Sequence, residues 1–187
     1  INQAQVHTYV WQQRYDSWNR VQEMAYPDGE IVEYEYNLAG KLRSMHAVKG
    51  DRPYPLINRL DYDQFEQRIR MQHGNGAETR YAYEPHRRRL STLEVAIQSG
   101  RTIMQNQYSY DRVNNIMALA NEANPVAGEL GGTMSATYGY DGLYRLVNAQ
   151  ASYNGNVQSD RYELTMTYDN LHNIVHKEQS DTSNLLT

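Results

Sequence analysis

Cysteine is absent from this 187-residue chain, which excludes disulfide staples and thiolate metal sites. There is one Phe and there are two Trp, so a thick core of packed aromatic rings is not available. Five prolines are too few for a polyproline segment, and no apolar run approaches the roughly 18 residues of a membrane-spanning helix. Charge of neither sign dominates: 18 Lys and Arg face 22 Asp and Glu, a net charge of −4. A basic stripe for nucleic acid and an acidic tail are both missing. The sequence begins at Ile1 with no initiator Met and no signal peptide, and is expected to be an excerpt or a processed piece.

What the chain does have is tyrosine, seventeen in all. A tyrosine keeps a polar tip that seeks water or a hydrogen-bond partner, so thin, half-wetted sheets are expected. The tyrosines recur in phase. Taking Tyr15, Tyr36, Tyr62, Tyr83, Tyr110, Tyr140 and Tyr168 as anchors, successive separations are 21, 26, 21, 27, 30 and 28 residues. The next residue is always an acid or its amide: Asp16, Asn37, Asp63, Glu84, Asp111, Asp141 and Asp169. Two positions before the anchor stand mostly aromatic or apolar residues, among them Tyr34, Tyr81, Tyr108 and Tyr138, which share a strand face with Tyr36, Tyr83, Tyr110 and Tyr140. An apolar residue returns six or seven positions after it, from Val21 to Ile174. Turn signals lie between anchors at Pro27-Asp28-Gly29 and Gly74-Asn75-Gly76. Units of about 21 residues fit two short strands and two tight turns, one β-hairpin per repeat.

The longer units carry loops. Lys49 to Pro55, with two prolines, reads as a loop insertion. Residues 121–135 read as a long loop between repeats, and residues 177–187 as a loose polar tail. Ile116 to Ala123 has some helical composition, but its place in the repeat favours a strand running into loop. The whole chain, 1–187, reads as a single run of about seven hairpins.

The candidate chemistry is thin. Asp16, Asp63, Asp111, Asp141 and Asp169 come once per repeat, so they spread along a sheet edge instead of meeting across one substrate. They are read as caps of the turns they enter. The paired tyrosines are read as a cross-strand ladder, in preference to a stacking platform for sugars or bases. Trp11 and Trp18 are read as packing residues or as cover for an edge strand. His86-Arg87-Arg88-Arg89 reads as a solvated turn. The six histidines, including His172 and His176, make no zinc pattern. No catalytic residue, cofactor or metal ligand is assigned.

Tyr140-Asp141-Gly142-Leu143-Tyr144-Arg145-Leu146 and Tyr36-Asn37-Leu38-Ala39-Gly40-Lys41-Leu42 resemble the YD units of RHS-repeat proteins. That family includes bacterial Rhs and wall-associated proteins, the B and C components of Tc toxins, and teneurins. The resemblance runs from about Gln12 to Ile174. It implies an all-β fold of consecutive antiparallel hairpins, forming a segment of a spiralling YD-repeat shell. It also implies a secreted or cell-surface protein and a non-enzymatic role, as wall around another domain, possibly a toxin. The alternative is an adhesion module binding glycan or receptor. Implied partners are flanking repeats, other copies, and a C-terminal toxin cargo. The Arg-Tyr-Tyr-Asp-Pro signature that ends many bacterial members is absent from these residues. Fourteen strands at roughly 4.8 Å span about 67 Å. Closed as a ring they give a diameter of about 21 Å, too narrow for a 100-residue cargo with a radius of gyration of about 13 Å.

Overall fold

The computed structural model describes residues 8–125, 132–156 and 158–185. Among these residues there are fourteen strands and no helix. The chain divides into two compact units, the first ending at Glu78 and the second beginning at Thr79. Unit 1 holds β1 (Gln12–Tyr15), β2 (Val21–Ala25), β3 (Glu30–Tyr36), β4 (Leu42–Lys49), β5 (Arg52–Tyr62) and β6 (Arg68–His73). Strand β7 (Glu78–Tyr83) carries the division. Unit 2 holds β8 (Leu90–Ala96), β9 (Thr102–Tyr110), β10 (Ile116–Asn121), β11 (Thr133–Tyr140), β12 (Leu146–Asn154), β13 (Gln158–Tyr168) and β14 (Ile174–Leu185). In each unit the strands lie side by side in sequence order, every neighbour antiparallel.

Every anchor tyrosine closes an odd-numbered strand, and the acid after it opens the turn. Among the described residues, the strands of each unit touch only their neighbours in the ladder, so burial there comes from lateral neighbours and not from a second layer. The buried apolar residues are accordingly small or set in cross-strand rows. Val32 lies between Met24 and Ala47, and Tyr34 faces Met45. In unit 2, Leu119 lies between Tyr108 and Ala136, and Ala149 between Tyr138 and Leu164. No large side chain is fully buried among the described residues. Such cross-strand pairs contribute roughly 0.2–1 kcal/mol each, so the sheet is held by many small, repeated terms.

Three loop expectations need correction. Lys49 to Pro55 is a hairpin: Gly50 (φ +59°) and Asp51 form the turn, and Pro53 and Pro55 belong to β5. Glycine at the first central position suits a type II′ turn. The prolines are tolerated because bonded and non-bonded pairs alternate along an antiparallel ladder. With Lys49 and Arg52 closing the turn, Pro53 opposite Val48 and Pro55 opposite His46 fall on non-bonded pairs. Their nitrogens therefore point away from β4, beyond the point where Ile57 meets His73 of β6. Gly74 packs directly on the Pro55 carbonyl, where a Cβ has no room.

The polar tail is also ordered as strand. Residues 177–185 continue β14, whose ladder with β13 runs from Tyr168 opposite Ile174 to Gln158 opposite Leu185. A strand that pairs through its backbone needs no apolar side chains, which is why composition misled here. Residues 186–187 lie outside the described residues. The expected loop at 121–135 is shorter, since Asn121 ends β10 and Thr133 begins β11; residues 126–131 lie outside the described residues. Ile116–Asn121 is strand, as its place in the repeat requires.

Candidate functional site

The recurrent feature is the junction after each anchor tyrosine. Asp16 shows the local geometry. One carboxylate oxygen accepts the N–H groups of Trp18 at 2.9 Å and Arg20 at 3.0 Å. Asn37, Asp63, Asp111, Asp141 and Asp169 hold the N–H groups two and four residues ahead in the same way, at 2.8–3.0 Å. A short side chain at this point satisfies turn donors that the strands have released. The turn then closes with a left-handed residue. Asn19, Gly40, Glu66, Asn114, Tyr144 and His172 all have φ between +59° and +78°. This is a type I turn followed by a bulge, and the strand registers shift there accordingly. The Glu84 turn is one residue longer and places Arg88 at φ +58°. Its longer side chain pairs with the Arg89 guanidinium at 2.7 Å instead of holding turn N–H groups.

Four of the anchor hydroxyls reach back toward the preceding repeat. Tyr36 donates to the Val21 carbonyl at 2.6 Å, Tyr110 to Leu90 at 2.8 Å, Tyr140 to Ile116 at 2.9 Å and Tyr168 to Leu146 at 2.7 Å. The accepting residue is the returning apolar position of the repeat before. Three junctions add an arginine. Arg20 pairs with Asp16 of its own turn and lies 4.3 Å from the ring centre of Tyr36 in the next repeat. Arg145 pairs with Asp141 at 2.7 Å, stacks 4.6 Å from the Tyr168 ring and donates to the Asp169 carbonyl at 3.0 Å. Arg89 repeats this toward Tyr110 at 4.6 Å and the Asp111 carbonyl at 2.8 Å. Each arginine thus clasps one turn to the next. Sequence reading missed the clasp, although a signal existed. The position after the left-handed residue is Arg20, Lys41, Gln67, Arg89, Asn115, Arg145 and Asn173, a polar hydrogen-bond donor in every repeat.

The electrostatics follow from this geometry. The backbone N–H and guanidinium of Arg145 hold the Asp141 carboxyl below its ordinary value of 3.8. Arg20 does the same for Asp16, and the Asn173 side chain and N–H for Asp169. Burial pushes the phenols of Tyr34, Tyr110 and Tyr140 up. Tyr108 accepts a long bond from Asn106 at 3.5 Å, Tyr138 faces Ala149, and Tyr81 and Tyr83 are half-buried in β7.

The structure does not bring the acids together; each serves its own turn. Among the described residues no group of three or more His, Cys, Asp or Glu could hold a metal ion. Trp11 and Trp18 are 59% and 68% exposed, so packing does not describe them; Trp18 stacks against Arg20, at 4.8 Å. The basic run is not merely solvated. Arg87 donates to the Arg112 carbonyl at 2.5 Å, and Arg89 forms the clasp to the neighbouring turn.

No protein-family model matches the chain. It is similar to toxin subunit YenC1 of Yersinia entomophaga, 29% identical over 144 residues, which is 73% of this chain and 15% of that protein. Toxin subunit YenC2 of the same organism is 29% identical over 129 residues, 65% of this chain and 13% of that protein. The fold is that of solved Tc toxin structures. A TcdB2-TccC3-Cdc42 crystal structure matches with a TM-score of 0.81 at 24% identity, over 92% of this chain and 9% of that one. The Photorhabdus luminescens Tc holotoxin pore matches with the same TM-score, identity and coverage. The chain therefore spans only a small part of the length of these relatives. With Tyr-Asp hairpins in phase from Tyr15 to Tyr168, the chain is similar in sequence to Tc toxin subunits and shares the fold of solved Tc toxin structures.

Proposed function

We propose that this chain is a stretch of structural wall, a single run of hairpin repeats that helps to enclose or display another domain and carries out no reaction of its own. The observation that carries this reading is the clasp. Anchor tyrosines at four junctions, three of them with an arginine, tie one repeat to the next, so these conspicuous side chains are committed to holding hairpins edge to edge. Tyr34, Tyr81, Tyr108 and Tyr138, with their anchors and the turn-capping acids, are on this reading the structural repeat positions. The partners are flanking repeats, which cover strand edges that would otherwise template aggregation. A secreted toxin assembly is the setting that the relatives suggest.

Enclosure is tested by protease protection. The parent protein is digested with a non-specific protease, and the lifetime of the domain borne by the wall is compared with that of the same domain excised. Survival in the parent and rapid loss when excised is the expected result; equal rates of loss refute enclosure. Turnover of any polysaccharide or peptide by the purified chain would refute the non-enzymatic reading.

A further inference from the structure

The two faces of the unit 2 sheet are chemically unlike, and one of them holds a depression that hairpin pairing does not use. Strand alternation puts Tyr138, Ala149 and Leu164 on one face and their chain neighbours on the other. On that second face the ladder registers line up two rows across β11 to β14. One is Ser135, Ser152, Arg161 and Thr182; the other is Thr137, Gln150, Glu163 and Ser180. Neither row holds an aromatic or aliphatic residue. A cavity of about 250 Å³ lies there, lined by Ser135, Thr137, Gln150, Ser152, Arg161 and Glu163. Short hydroxyl side chains beside two long charged ones make the hollow. Arg161 and Glu163 carry opposite charges two residues apart on one face, roughly 6.8 Å between Cα atoms. Neither pairs with the other or with any other described residue. Arg59 and Asp61 stand at the same spacing on β5 and close on each other, at 2.8 and 2.9 Å. Glutamate is a methylene longer than aspartate, so reach is not what keeps Arg161 and Glu163 apart. Each retains its full hydrogen-bonding capacity, donors on the guanidinium and acceptors on the carboxylate. The hydroxyls of Ser135 and Ser152 bond each other at 2.9 Å, which fixes their positions and leaves each with spare lone pairs.

We propose that this cavity is a saccharide site that takes a single sugar unit. It goes beyond the wall reading and does not depend on it. A sugar hydroxyl both donates and accepts hydrogen bonds. It can therefore serve Arg161, which only donates, Glu163, which only accepts, and the hydroxyls and amide of Ser135, Thr137, Gln150 and Ser152, which do both. Charge argues against a simple ion, because Arg161 and Glu163 cancel. A dipolar ion such as an amino acid would use those two charges and leave the hydroxyls and the amide without a role. With no ring in either row, a nucleobase has nothing to stack on. The volume falls below the roughly 300–1,000 Å³ of drug-sized pockets, so one unit of a glycan is accommodated and a longer segment is not.

The test is saturation-transfer NMR on the parent protein with glucose, galactose, mannose and N-acetylglucosamine, and with glycine as the dipolar probe. Arg161→Ala removes the donor, Thr137→Gln fills the cavity, and Arg112→Ala, on the Asp111 turn, is the control. All three positions are exposed, and unchanged hydrogen exchange in peptides from β11 to β14 shows that each variant keeps its fold. At least one of the four sugars should bind the wild type. Losing a hydrogen bond to a charged group should weaken that binding at least about tenfold in Arg161→Ala. Thr137→Gln should abolish it, and Arg112→Ala should leave it unchanged. No binding by any of the four sugars overturns the proposal, as does equal binding by wild type and Arg161→Ala. Binding of glycine and of no sugar overturns the saccharide assignment. Protease protection of the borne domain, measured on the same variants, judges the wall reading separately.

Discussion

Replacing Arg145 by Met tests whether the junctions hold the wall. The substitution keeps most of the apolar stem and removes the guanidinium, which stacks 4.6 Å from the Tyr168 ring and donates to the Asp169 carbonyl. A partly exposed cation–π contact contributes about 0.5–1 kcal/mol, and a hydrogen bond from a charged group about 1.5–3 kcal/mol. The lower end applies to the second, because the Asp169 carbonyl also accepts the His172 N–H at 3.2 Å and is not orphaned. A loss of about 2 kcal/mol follows. Both tryptophans lie in unit 1, so tryptophan fluorescence would report the wrong unit. Hydrogen exchange across a urea series, read by mass spectrometry on peptides from β11 to β14, reports unit 2 directly. Combining Arg145→Met with Tyr168→Leu should give a coupling energy of about 0.5–1 kcal/mol. Arg145→Lys should fall between wild type and Met, since an ammonium cannot make the same planar fork. A single-variant loss under about 0.5 kcal/mol, or no coupling, would refute the clasp as a source of stability.

Three further outcomes are expected. Tyr144→Gly should stabilise unit 2 by about 0.5–1 kcal/mol, because a left-handed non-glycine residue costs about 1–2 kcal/mol and glycine returns part of that gain as chain entropy; a lower urea midpoint for the variant would contradict this. Asn115→Arg should install the clasp missing at Tyr140, where Asn115 now bonds Asp111 of its own turn, and should slow exchange in the β10–β11 ladder, which has four pairs against eight for β11–β12. The chain should lose stability in acid. Asp16, Asp141 and Asp169 have folded values below the ordinary 3.8, so their contribution is full above that value and is lost as pH falls through the folded values. Urea midpoints should be flat from about pH 7 to 5 and decline below about pH 4; a midpoint that rises between pH 5 and 3 would be inconsistent with these pairs.

The repeat itself was legible in the sequence. A side-chain period of two puts Tyr138 and Tyr140 on one face, and an acid after each anchor marks where the strand ends. Local rules act within a few residues, so hairpins, their order and the all-β class could be read without coordinates. What lay beyond reach depended on lateral neighbours. The prolines of β5 are tolerated only because of the ladder parity set by Gly50-Asp51 and the reach of β6. The polar β14 is strand because β13 offers it a backbone edge. Arg145 meets Tyr168 across 23 residues of chain, and no local pattern announces that contact. Sequence therefore determined the unit and its phase, through turn chemistry and alternation. Tertiary structure alone decided how one hairpin grips the next, because that is a property of neighbouring hairpins and not of any single one.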